Sequence, residues 1–155
     1  MTNYKHILLA IDGSDASQPA LQEAIRLTDN QKAKLKVIFV VDESFVYHGG
    51  PGYDYLSYLA ACREEGLSIL NRAAEYITQQ SSIQFETGLV ELEPFQGRIA
   101  DAILEEARDW QADMLILGTH GRRGFSHILM GSVAESVIRI STIPVLLVRQ
   151  TKTSE

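Results

Sequence analysis

The chain has a single cysteine, Cys62, among its 155 residues, so no internal disulfide is possible and no thiolate cluster can gather around a metal. Its four histidines, His6, His48, His120 and His127, show no i,i+4 pairing and have no cysteine partner, which argues against a protein zinc site. Positive charge is also short. With 14 Lys plus Arg against 20 Asp plus Glu the formal charge is −6, which opposes nonspecific attraction to phosphate backbones or anionic lipid, so nucleic acid and membrane surfaces are poor candidate partners. No apolar run approaches the roughly 20 residues that span a bilayer. The short run after Lys5 leads into Asp12-Gly13-Ser14 rather than a small-residue cleavage site, and reads as a strand rather than a signal. The tail, Thr151 to Glu155, carries no lipidation motif. These absences predict a soluble, cytoplasmic protein with one domain over residues 1–150 and a tail over 151–155.

What is present suits a folded domain. Hydrophobic residues make up 45% and charged residues 22%, and a chain of this length buries about two thirds of its unfolded surface in one core. Continuous apolar runs at His6 to Ile11, Leu35 to Val41 and Met114 to Leu117 predict strands buried on two faces, with further strands at Ile83 to Leu92 and Ile143 to Val148. Between the first two runs, Pro19 to Leu27 carries Leu21, Ala24 and Ile25 on one stripe, with Ser14 or Ser17 as N-cap. Asp42 to Tyr55 contains Gly49-Gly50-Pro51-Gly52 and reads as an irregular loop. A long helix is expected from about Tyr58 to Gln79, though Gly66 interrupts its pattern. Ile99, Ile103, Ala107 and Trp110 mark another helix, and Ser132 to Arg139 a last one. Strands alternating with helices imply an α/β fold, an open parallel sheet with right-handed crossovers and helices on both faces. In such sheets ligands sit beyond the carboxyl ends of strands, where the strand order reverses. The first and fourth strands deliver Asp12 and Gly118 to such a place.

One stretch carries chemistry. After the fourth strand the chain reads Gly118-Thr-His-Gly121, nine residues, then Gly131-Ser132-Val133-Ala134-Glu135. Glycines around a strand-to-helix connection permit close backbone approach, and their amides can converge on phosphate oxygens. Gly131-Ser132 stands at a helix start, where free amides and the helix dipole favour an anion, and Arg122 and Arg123 add positive charge. The plainer reading is that the glycines only turn the chain and that Ser132 with Glu135 forms a capping box. The stretch is neither a P-loop nor a Gly-x-Gly-x-x-Gly dinucleotide fingerprint, and the residues alone leave both readings open.

The pattern Gly-x-x-Gly, nine residues, Gly-Ser resembles that of ATP-binding universal stress proteins, and Gly118, Gly121, Gly131 and Ser132 match it without a gap. The resemblance spans nearly the whole chain, including Ile7 to Ser14, Val40-Val41-Asp42, Ala112 to Leu117 and Ile143 to Val148. It implies a Rossmann-like, adenine nucleotide alpha hydrolase-like sheet of five strands in the order 3-2-1-4-5. It further implies ATP near these strand ends: Asp12 at the ribose, Val40 at the adenine edge through its backbone, and Ala10 in the apolar wall. Gly118 would meet the ribose; Gly121, Arg122, Arg123, Gly124, Gly131, Ser132 and Val133 would surround the phosphates, whose charge calls for Mg²⁺ or Mn²⁺. Ala134 stands where some relatives have a hydroxyl, and Glu91-Leu92-Glu93-Pro94 lacks a glycine common in that turn. A homodimer through the edge strand Val145 to Val148 is expected.

No Ser-His-Asp arrangement, activated cysteine or kinase-type base can be placed, so the sequence favours a nucleotide-binding stress or regulatory module over an enzyme. Two rivals are a slow metal-dependent ATPase or phosphotransferase with Asp12 on the metal, and an interaction protein of the same family that binds no nucleotide.

Overall fold

The computed structural model describes residues 3–43, 54–93, 96–119 and 131–150. Five strands and four helices alternate: β1 His6–Ile11, α1 Ser17–Gln31, β2 Lys34–Asp42, α2 Tyr55–Gln80, β3 Gln84–Leu92, α3 Ile99–Asp109, β4 Met114–Gly118, α4 Ser132–Ile140 and β5 Val145–Val148. The strands form one parallel sheet in the order β3-β2-β1-β4-β5, as the resemblance implies. The order reverses between β1 and β4.

Alternation along the strands builds two core layers. Ile7, Leu9 and Ile11 of β1 join Leu35, Val37 and Phe39 of β2 beneath α1 and α2. Leu8 and Ile38 face the other way, with Ile103 and Ala107 of α3 and Val137 of α4. Burial on both faces is why β1 and β2 read as unbroken apolar runs instead of alternating ones. The stripe Ala20, Leu21, Ala24 and Ile25 seats α1 on the sheet.

Several boundaries differ from the sequence expectation, each for a local reason. The N-cap of α1 is Ala16, with no side-chain cap, because the Ser17 hydroxyl is spent on Asp12, donating to its Oδ1 at 3.0 Å. Helix α2 starts at Tyr55, three residues early, because Asp54 caps it and accepts from the Ser57 amide at 3.2 Å. Gly66 does not interrupt α2. A Cβ there would lie 2.7 Å from Leu89 Cδ1 and 2.8 Å from Phe39 Cδ1, so glycine lets the helix approach β2 and β3 closely. Trp110 ends α3 as its C-cap and rests near His6, ring centroids 5.0 Å apart. Strand β5 begins at Val145, not Ile143, because the Ser141 hydroxyl bonds the Ile143 amide and carbonyl in a tight turn. Among the described residues no helix is long and apolar enough to cross a membrane.

At the end of β2 a carboxylate is buried. Glu43 is 5% exposed, 3.9 Å from Arg63, which also pairs with Glu91. Burial, and then the Glu91 charge, pushes the Glu43 carboxyl above its ordinary range despite Arg63. A carboxyl raised on folding contributes stability below its unfolded pKa, and that contribution is lost as pH rises through the folded value. Glu43→Gln, which cannot ionise, should therefore raise the melting temperature relative to wild type more at pH 8 than at pH 4. An equal difference at both pH values would show that the Glu43 charge costs nothing in the fold.

Candidate functional site

The carboxyl ends of β1, β2 and β4 converge where the strand order reverses. Strand β1 runs into a tight turn: Asp12 Oδ1 accepts from the Ser14 amide at 2.9 Å and from the Ser17 hydroxyl, and Gly13 adopts φ +79°. One oxygen of Asp12 therefore fastens the turn. Gly118, at the end of β4, packs directly against this turn. A Cβ at Gly118 would stand 3.0 Å from Ala16 Cβ and 3.2 Å from the Ala16 carbonyl oxygen, so a side chain would push the two strand ends apart.

Thr119 and Gly131 bracket the glycine-rich stretch and are joined: the Gly131 amide donates to the Thr119 carbonyl at 2.6 Å, and the Thr119 amide to the Val148 carbonyl at 3.0 Å. The start of α4 is thereby tied to the end of β4. Gly131 is the N-cap of α4, extended at φ −60° and ψ 150°, and no side chain caps the helix. The Ser132–Glu135 capping box does not form, since Ser132 is the first helical residue and the Glu135 carboxylate pairs with Arg139 instead. Among the described residues the first amides of α4 thus lack the side-chain acceptor that helix starts ordinarily carry. Ala134, where a hydroxyl was considered, is buried.

Beside this helix start lies an apolar shelf. Ala10, Val40 and Val90 sit on the face covered by α3 and α4, each only partly buried, with Val133 on the same layer. Val40 and Val90 are in register. Val90 is the shelf residue that sequence reading missed; its signal is parity, since it is even-numbered on β3 and opposite Val40. The backbone of Val40 is also aimed usefully. Lys34 donates its amide to the Lys5 carbonyl, so alternation turns the polar groups of Lys36, Ile38 and Val40 toward β1. Strand β1 pairs no further than Ile11 with Phe39, and the Val40 carbonyl faces the space beyond that end.

Of the residues expected at a nucleotide, Ala10, Asp12, Val40, Gly118, Gly131, Ser132 and Val133 stand at this end of the sheet. Gly121, Arg122, Arg123 and Gly124 lie outside the described residues, as does most of the 43–57 loop. Among the described residues no group of three or more His, Cys, Asp or Glu is placed to hold a metal.

Residues 3–149 match the model of the Universal stress protein family. A universal stress protein of Methanocaldococcus jannaschii is 35% identical over 151 residues, covering 96% of this chain and 84% of its own. Among solved structures, a universal stress protein family member from Burkholderia pseudomallei is 32% identical with a TM-score of 0.77, covering 94% of this chain and 96% of its own. Another universal stress protein, solved in complex with cAMP, is 25% identical with a TM-score of 0.70, covering 97% of this chain and all of its own (100%).

Proposed function

The chain belongs to the universal stress protein family, and we propose that it is an ATP-binding member, a stress-response or regulatory module rather than an enzyme. The observation that carries this is the conjunction at one sheet end of a partly exposed apolar shelf, a glycine held to close packing, and a helix start without a side-chain cap. Adenine lies on Ala10, Val40 and Val90, with its exocyclic amine donating to the Val40 carbonyl. The ribose reaches Gly118 and Asp12. The phosphates meet the amides of Ser132 and Val133, where backbone N–H groups and the helix dipole favour negative charge, together with the stretch 119–130. The relative solved with cAMP supports an adenine ligand for this architecture. The occupied state of the 119–130 stretch is what a partner protein reads, a shift in its population driven by ATP.

Mg²⁺ or Mn²⁺ accompanies the triphosphate. Among the described residues no carboxylate cluster suits the ion, and phosphate oxygens and water serve as its ligands, as Mg²⁺ commonly prefers. Calorimetric titration of the purified chain with ATP should then show weaker binding in excess EDTA, while the apo protein keeps its melting temperature. Identical ATP affinity with and without EDTA would contradict metal-assisted binding.

A homodimer joined through β5 completes the reading. All four residues of the strand are only partly buried in the single chain, it is an edge of the sheet, and no charge interrupts it. Ile138 and Ile140 are exposed on α4, the helix that leads into it. An apolar edge of this kind invites pairing, and a two-fold axis closes the pairing at two chains.

A further inference from the structure

We propose that the groove between α1 and α2 holds a second ligand site, for a small aliphatic carboxylate, on the opposite face of the sheet from the nucleotide shelf. A cavity of about 180 Å³ opens there, between the turn that follows β1 and the middle of α2. Its floor is aliphatic: Ile11, Leu21, Ile69 and Ala73, all of the core layer beneath α1 and α2. Ala10, Val40, Val90 and Val133 belong to the other layer. The sheet therefore separates the two places, and only the turn from Asp12 to Ser17 borders both.

The rim is polar and carries one sign of charge. Ser14, Gln18 and Arg72 line it, and no carboxylate does. Arg26, Arg63, Arg98 and Arg139 each pair with a carboxylate. Arg72 lies in α2 beside the cavity, and no carboxylate lies within ion-pair distance of it among the described residues. Further along the two helices the Gln22 amide donates to the Tyr76 hydroxyl at 3.2 Å, tying α1 to α2. The opening has an apolar floor and a cationic lip.

That chemistry selects a ligand with one anionic end and a short hydrocarbon body. The cavity is of a size to take a carboxylate on a short hydrocarbon chain, for which one of four carbons serves as the trial length. The guanidinium takes the carboxylate through paired N–H donors, and the chain lies on Leu21, Ile69 and Ala73. Acetate has the charge without the body, and pentanamide the body without the charge.

Pentanoate is therefore the probe. Titrated into the full-length protein without nucleotide, and followed by amide NMR, it should shift the signals of Gly13, Ser14, Gln18, Leu21 and Ala73. It should bind about tenfold more tightly than acetate or pentanamide, as expected for a charge-assisted hydrogen bond and a buried chain. Arg72→Gln should bring pentanoate down to the level of pentanamide and leave the melting temperature unchanged, since Arg72 is exposed and makes no ion pair with the described residues. Saturating ATP should leave the pentanoate-shifted signals of Leu21 and Ala73, away from the shared turn, in place. Equal binding of pentanoate and pentanamide, full pentanoate affinity in Arg72→Gln, or displacement of pentanoate by ATP would each overturn the proposal. The first two deny the carboxylate site, and the third makes the pocket part of the nucleotide crevice. The first two do not depend on whether ATP binds at the shelf.

Discussion

In ATP at about 100 times its Kd, the wild-type chain should be more stable to unfolding by about 2.7 kcal/mol, and Gly131→Val should show none of that gain. The variant isolates the ligand effect because of where Gly131 sits. Its backbone, φ −60° and ψ 150°, is extended and open to any residue, so valine strains no backbone dihedral there. Valine is a much poorer N-cap than glycine, and the apo protein should lose roughly 0.5–1.5 kcal/mol. The branched side chain, however, stands between the incoming phosphates and the amides of Ser132 and Val133. Denaturant titrations of both proteins, with and without nucleotide, read the two effects separately. Equal ATP-dependent stabilisation of both would place the phosphates elsewhere.

The second large effect is on mass. Leu146→Lys with Val148→Lys should convert a dimer into a single chain in light scattering, because two charges per strand would face their copies across the two-fold axis. Both side chains also touch the core layer beneath α1, so a second variant separates assembly from packing. The carbonyls of Pro144 and Val148 accept from Leu115 of β4 and from Thr119 just beyond it, and alternation then turns the amides of Val145 and Leu147 outward, toward the open edge. Leu147→Pro removes one outward donor and leaves the β4 ladder intact; it also gives up the Leu147 contact with the opposite core layer, so retained ATP-dependent stabilisation is the check that it folds. It should give the same monomeric mass while keeping ATP-dependent stabilisation. A wild type already monomeric at high concentration, or a Leu147→Pro protein that stays dimeric, would refute the β5 interface.

The parts of this fold that could be read from the sequence are those that long-range burial dictates. The runs at Ile7 to Ile11 and Met114 to Leu117 are apolar on every residue, and a strand covered on both faces is what calls for that. The strand order came from resemblance to the family, because apolar runs carry no information about which strand neighbours which. Boundaries set by single side chains were harder to read. Ser17 and Ser132 both look like N-caps, yet Ser17 bonds Asp12 and Ser132 falls one residue inside α4. Asp54 capped α2 from within what read as loop. In each case several hydroxyls or carboxylates compete for the same amide, and tertiary contacts choose among them. The same holds for Gly66, whose need for glycine lies in Leu89 and Phe39, more than 20 residues away on either side.

The site divides along similar lines. Gly118 and Gly131 were legible by spacing, and the contact of Gly118 with Ala16 supplies a physical need for the first. Val90 was not legible, because one valine in a partly alternating strand has no mark until the register with Val40 is known. Asp12 was expected at the ribose; its Oδ1 serves the turn, and its role toward sugar hydroxyls belongs to the proposal.

Equilibrium dialysis of labelled ATP against the purified wild-type chain in Mg²⁺ tests the nucleotide site most directly. One ATP should be held per chain at saturation, with cAMP competing through the shared adenine shelf and GTP, which offers a carbonyl in place of the adenine amine to the Val40 carbonyl, competing poorly. Absence of saturable ATP binding, or GTP competing as well as unlabelled ATP, would contradict an adenine-nucleotide site at the ends of β1, β2 and β4.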